Sequence, residues 1–146
     1  MNLAFLTELA DRPGYVRGRS APFFRDGFEG EEHLVKSLSR WFSVPETQKV
    51  MSVTDCINVC NMTVRRFDAF VGGVAHEAKV GYRPLDDFTR RQILSDAHLI
   101  KNNSIKGAHW HFYPSDVTSQ LGPSRQVLDL LDEHGIKYTI HYPKVG

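Results

Sequence analysis

The sequence predicts an α/β domain with a mixed central β-sheet flanked by helices. Three observations carry that expectation: two strand-like runs joined by Gly72-Gly73, a helix-like run on either side of them, and a closing helix–strand pair broken by Gly135. The 146 residues suit one domain, which at this length buries about two-thirds of the surface its unfolded chain exposes. A hydrophobic share of 41% with 24% charged residues excludes wholesale disorder. No apolar run approaches the ~20 residues of a membrane span. The opening MNLAFLTELA lacks the basic start, apolar stretch and small-residue cleavage site of a secretory signal. A net charge of +1 points neither to a strongly basic nucleic-acid binder nor to an acidic tail. Two cysteines cannot make a disulfide framework in a chain this long, so the composition fits a reducing compartment.

Residues 1–27 read as a loop-rich basic N-terminal arm, and 28–146 as a single domain. Between Arg12 and Arg25 lie four arginines and no acid, punctuated by Pro13, Gly14, Gly18 and Pro22, which reads as a solvated arm or one laid along a partner. The first helix is expected from about Glu29 to Phe42. Leu34, Val35, Leu38, Trp41 and Phe42 make one apolar stripe, Gly30 or Asp26 stands near the start, and Pro45 closes it. Glu31 falls on that stripe, where a carboxylate is costly unless something binds it. Asn58–Met62 reads as extended, and two strands follow, Val64–Val71 and Val74–Val80. A helix over 84–103 begins near Asp86 or Asp87 and stops at Asn102-Asn103, with Leu85, Phe88, Ile93, Ala97 and Ile100 as its apolar face. Ala108–Tyr113 reads as a strand ended by Pro114. Ser124–His134 reads as a short amphipathic helix and Ile136–Tyr142 as a last strand.

The hairpin concentrates the chemistry. With Gly72 and Gly73 as its two loop residues, Val71 faces Val74, Phe70 faces Ala75, Ala69 faces His76 and Asp68 faces Glu77. Side chains alternate, so Lys79 falls on the same face, opposite Arg66. Two carboxylates directly opposite each other destabilise a hairpin, and a divalent cation relieves them. Glu31 then completes an acidic pocket, and Lys79 stabilises charge developing on a phosphate. Without a cation, the same residues describe a solvated face on which Lys79 neutralises its neighbours.

In this order, Glu31 in GEEHLV, Asp68 in RRFDAF, Glu77-Ala78-Lys79 in HEAK and the following helix resemble the PD-(D/E)xK, or restriction-endonuclease-like, nuclease superfamily. The resemblance spans residues 28–113. It departs from the family pattern at Phe67, where a proline usually precedes the aspartate. It implies a restriction-endonuclease-like core and a Mg²⁺- or Mn²⁺-dependent endonuclease. Asp68 and Glu77 would ligate the ion, Glu31 would ligate a second ion or hold a coordinated water, and Lys79 would position the attacking water. Gln92 in RRQILSDAHLI would orient Lys79 or a phosphate oxygen, with Asp96 as an accessory neighbour one turn on. Within the superfamily the layout resembles the C-terminal toxin domains of bacterial polymorphic toxins of the contact-dependent inhibition and Rhs type. That narrower likeness implies delivery to a target-cell cytoplasm inside a larger exported protein, with Met1 as an expression start, and a cognate immunity protein.

Arg65, Arg66, Arg83, Arg90 and Arg91 cluster around the pocket in sequence, with Lys101 and Lys106 beyond, and suit phosphate contacts as well as solvated surface. His109 and His111 share a strand face, suited to stacking on a nucleotide, to general-acid duty or to an interior strand. His76 lies on the face opposite Glu77, outside the metal set. Cys56 and Cys60 lack zinc-site spacing and are expected as partly buried thiols. There is no phosphate-binding glycine loop and no nucleophile elbow. Two other readings stand beside the nuclease: a metal-independent ribonuclease using His109, His111 or His76 as acid and base, and a non-catalytic binding module.

Overall fold

The computed structural model describes residues 8–115 and 122–143. Helix α1 (Gly27–Trp41) leads to strand β1 (Glu46–Ser52), a 3₁₀ turn at Thr54–Cys56 and a single helical turn, α2 (Ile57–Cys60). Strands β2 (Val64–Val71) and β3 (Val74–Val80) follow, then α3 (Asp87–Lys101), β4 (Gly107–Tyr113), α4 (Arg125–Glu133) and β5 (Lys137–Ile140). The five strands form one sheet in the order β1-β2-β3-β4-β5. The β1–β2 and β2–β3 pairs are antiparallel and the β3–β4 and β4–β5 pairs parallel, so the sheet is mixed as expected.

Local signals place most of these elements. Asp26 caps α1, its Oδ1 accepting the Glu29 amide at 3.1 Å. Asp86 does the same for α3 through the Thr89 amide at 2.8 Å. Gly72 and Gly73 both adopt positive φ, the conformation a two-residue hairpin turn demands. One sheet face carries α1, whose Leu34 and Leu38 pack on Ala69, Ala78 and Tyr113. The other carries α3 and α4, which bury Ile93, Leu99, Val127, Leu128 and Leu131 against Phe67, Ala75, Trp110 and Phe112. Helix α1 lies close to β3 because Gly30 has no side chain: a Cβ there would stand 2.5 Å from Val80 Cγ2. That approach brings Glu31 down towards the sheet.

Several expectations need correction. Trp41 and Phe42 are exposed, so the buried α1 stripe ends at Leu38. Strand β1 was not anticipated; ETQKVMS lies at the sheet edge, largely exposed, and lacks the alternation that marks a half-buried strand. Asn58–Met62 is not extended: residues 57–60 are helical and Asn61 ends the turn in the left-handed region. On α3, Phe88 is exposed while Gln92, Ser95 and Asp96 are buried, so the inward face is partly polar. Cys56 and Cys60 are joined by a disulfide across the α2 turn rather than standing as thiols.

The basic arm is tied to the domain itself over residues 8–27, with Arg17, Arg19 and Arg25 exposed on it. Leu9, Ala21 and Phe24 are buried. The Val16 amide donates to the Tyr138 carbonyl at 2.8 Å, and the Tyr138 amide donates to the Gly14 carbonyl at 2.9 Å. Arg12 holds Asp129 and Asp132 of α4 at 2.8 and 3.1 Å. The arm thus covers the β5 edge, which would otherwise offer unpaired backbone groups.

Candidate active site

The hairpin ladder runs as expected through Val71–Val74, Phe70–Ala75 and Ala69–His76, and stops there. Asp68 and Glu77 are not ladder partners, and neither are Arg66 and Lys79. Asp68 Oδ2 instead accepts the Ala78 amide at 2.8 Å, a backbone donor left free where the strands part. The expected side-by-side pair is therefore split. Asp68 lines a groove of about 370 Å³ under α1 with Glu31, Glu32, Thr47 and Gln48. Glu77 and Lys79 turn towards α3 on the other face, meeting Gln92 and the Trp110 ring.

Asp68 is only 8% exposed. Its pKa is pushed up to about 8, first by burial, then by the charge of Glu77, and further by the charge of Glu31 and hydrogen bonding to it; the Ala78 amide opposes the rise. A hydrogen bond between two carboxyls requires a proton on one of them. The three carboxyls that line the groove, Glu31, Glu32 and Asp68, share it with one ammonium, Lys36.

Glu77 is in the opposite condition. Burial works against its charge, but Arg65 and Lys79 hold its pKa below the usual value. Lys79 Nζ lies 3.0 Å from Glu77 Oε2 and donates to Gln92 Oε1 at 2.6 Å, while Arg65 Nη2 lies 3.3 Å from Glu77 Oε1. Gln92 Nε2 reaches the same Glu77 Oε2 at 3.4 Å. Gln92 thus links the lysine and the carboxylate. Asp96 sits behind, accepting from Arg65 Nε at 2.7 Å and from Trp110 Nε1 at 2.8 Å.

Arg65 cannot serve as a phosphate contact. It is 1% exposed and spent on two carboxylates, because the strand turns it inward between β2 and α3. Arg66 and Arg90 are exposed and Arg83 and Arg91 half-buried, and none of the four lines the Asp68 groove.

His109 and His111 belong to a different group. They stack on each other with ring centroids 4.2 Å apart, and His76 lies across the strand pair from His109. Among the described residues, His76, His109 and His111 are the set of three whose ligating atoms all lie within 4.8 Å of one another, so a possible metal-binding triad exists here. The carboxylates Glu31, Asp68 and Glu77 are not gathered that tightly. Burial first of all lowers the His76 pKa to about 4 and that of His109 to about 3, and drives that of His111 well below its ordinary value. The sequence did hold a clue, an H-x-H strand and seven histidines in all. What brings His76 beside them is the parallel β3–β4 register, which no local pattern encodes.

No family model, no curated protein and no solved structure matches this chain. Its function rests on the chemistry of these side chains.

Proposed function

We propose that the chain is a divalent-metal-dependent phosphodiesterase acting on nucleic acid. The observation that carries the reading is Asp68, a buried carboxyl lining a solvent-open groove with Glu31 and Glu32, its pKa pushed up by burial and by the charges of Glu77 and Glu31. Hard oxygen donors with surplus negative charge suit Mg²⁺ or Mn²⁺. Asp68 and Glu31 would hold the ion, with Glu77 behind them. Such an ion supplies Lewis-acid polarisation of a phosphoryl oxygen and acidifies water. Lys79, held by Gln92 and Glu77 on the α3 face, contributes positive charge behind the groove. Arg66, Arg83, Arg90 and Arg91 hold the nucleic-acid backbone.

The likeness to polymorphic-toxin domains extends the proposal to a toxic effector, carried within an exported protein into a target-cell cytoplasm and neutralised by a cognate immunity protein. The Cys56–Cys60 disulfide supports passage through an oxidising compartment. No helix among the described residues is long and apolar enough to cross a membrane. Histidine acid–base chemistry is less well supported, because a general acid at neutral pH needs an imidazolium and burial keeps these rings neutral.

Plasmid DNA and total RNA incubated with the purified protein test the reading. Cleavage of one of them with Mg²⁺ or Mn²⁺, abolished by EDTA and lowered about a hundredfold by Glu31→Gln, is expected. Cleavage that survives EDTA, or none with either metal, contradicts it.

A further inference from the structure

Four histidines line up across the α1 face of the sheet: His76 on β3, His109 and His111 on β4, and His141 just past β5. His141 Nδ1 lies 3.0 Å from the Arg19 carbonyl of the arm. A carbonyl only accepts, so Nδ1 carries the proton and His141 Nε2 bears a lone pair. His111 Nδ1, 3.2 Å from that atom, must then donate, which leaves His111 Nε2 with a lone pair facing His76 Nδ1 at 3.1 Å. The arm carbonyl therefore sets the tautomers of His141, His111 and His76. His109 is anchored separately, its Nε2 lying 2.7 Å from Thr139 Oγ1. Carbonyl and hydroxyl groups behind the rings are the outer partners that fix metal-ligating imidazoles.

We propose that His76, His109 and His111 form a second metal site, one that takes a borderline transition ion, Zn²⁺ above all. Two features support it. The ligating atoms are all imidazole nitrogens within 4.8 Å of one another, a donor set that suits zinc, copper or nickel and not the oxygen-seeking Mg²⁺. The 3.1 Å between His76 Nδ1 and His111 Nε2 is close to the roughly 3.3 Å separating two nitrogens on a tetrahedral Zn²⁺ with bonds of about 2.0–2.1 Å. On binding, the His76 proton moves from Nδ1 to Nε2 and the ion takes its place between the two rings. His109, now stacked 12° from parallel on His111, turns to present its nitrogen. Three protein ligands leave a fourth position open. This site does not depend on the nuclease reading, and either can fail alone.

Metal-stripped protein titrated with Zn²⁺ by calorimetry, and with Co²⁺ by visible absorption, tests the proposal. One equivalent with the absorption of a tetrahedral cobalt centre is expected, together with a rise in Tm. His76→Gln should weaken binding at least tenfold, and Thr139→Val, which removes only the outer partner of His109, about 10–100-fold. Asp68→Asn and Glu31→Gln should leave both Zn²⁺ affinity and the cobalt spectrum unchanged. The proposal is overturned if wild-type protein takes up no Zn²⁺, if His76→Gln binds it as tightly as wild type, or if Asp68→Asn loses the site, which would put zinc in the carboxylate groove.

Discussion

Asp68→Asn is expected to remove cleavage and to raise stability together. Asparagine keeps an oxygen for the Ala78 amide and nearly the same volume, but it carries no charge. Loss of a metal-holding carboxylate should lower cleavage about a hundredfold or more. The stability change follows from the raised pKa. Between the unfolded value of 3.8 and the folded value of about 8, the folded chain binds the proton that the unfolded chain has released. The cost of ionised Asp68 is therefore absent below about pH 4, grows through that window and is complete above pH 8. The variant should match wild type near pH 4 and exceed it at pH 8.5 by on the order of 2 kcal/mol, or several degrees in Tm. Thermal melts at the two pH values beside a cleavage assay measure both effects. A variant that is inactive but also less stable at pH 8.5 would make Asp68 a structural residue.

The second large effect lies at Arg65. Its guanidinium is the shared counter-charge of Glu77 and Asp96, all three buried. Removing one partner of a buried ion pair leaves uncompensated charge, a cost of about 3–5 kcal/mol. Arg65→Met should lose that much by urea unfolding, about 10 °C in Tm, whereas exposed Arg66→Ala should stay within about 0.5 kcal/mol. Combining Arg65→Met with Asp96→Asn should recover part of the loss. If Arg65→Met and Arg66→Ala are equally mild, the buried network does not hold β2, β3 and α3 together.

The contrast between these neighbours explains what the sequence could and could not convey. The hairpin was legible because Gly72-Gly73 sets a register, and α3 was legible because Asp86 and Asn102 bound it. The direction of each side chain beyond Ala69 was not. Alternation alone puts Asp68 beside Glu77, but the ladder ends and the Asp68 carboxylate replaces a strand partner at Ala78. The same break sends Arg65 inward against expectation. On α3 the signal that should mark the core, apolar periodicity, fails because Gln92, Ser95 and Asp96 face inward, Gln92 meeting Lys79 and Asp96 meeting Arg65 and Trp110. Strand β1 left no mark because an exposed edge strand has no apolar face to show. The histidine row depends on strand order and on an arm carbonyl more than a hundred residues away.

The central claim is that crowded carboxylates under α1 await a divalent cation, with a proton on Asp68 in its place. Mg²⁺ titration by calorimetry at pH 7, in two buffers of different ionisation enthalpy, addresses it most directly. Close to one proton should leave for each ion bound, and affinity should rise about tenfold per pH unit until pH 8, then level off. Asp68→Asn should bind weakly and release none. Binding with no proton release, or binding that Asp68→Asn and Glu31→Gln leave intact, would contradict the account.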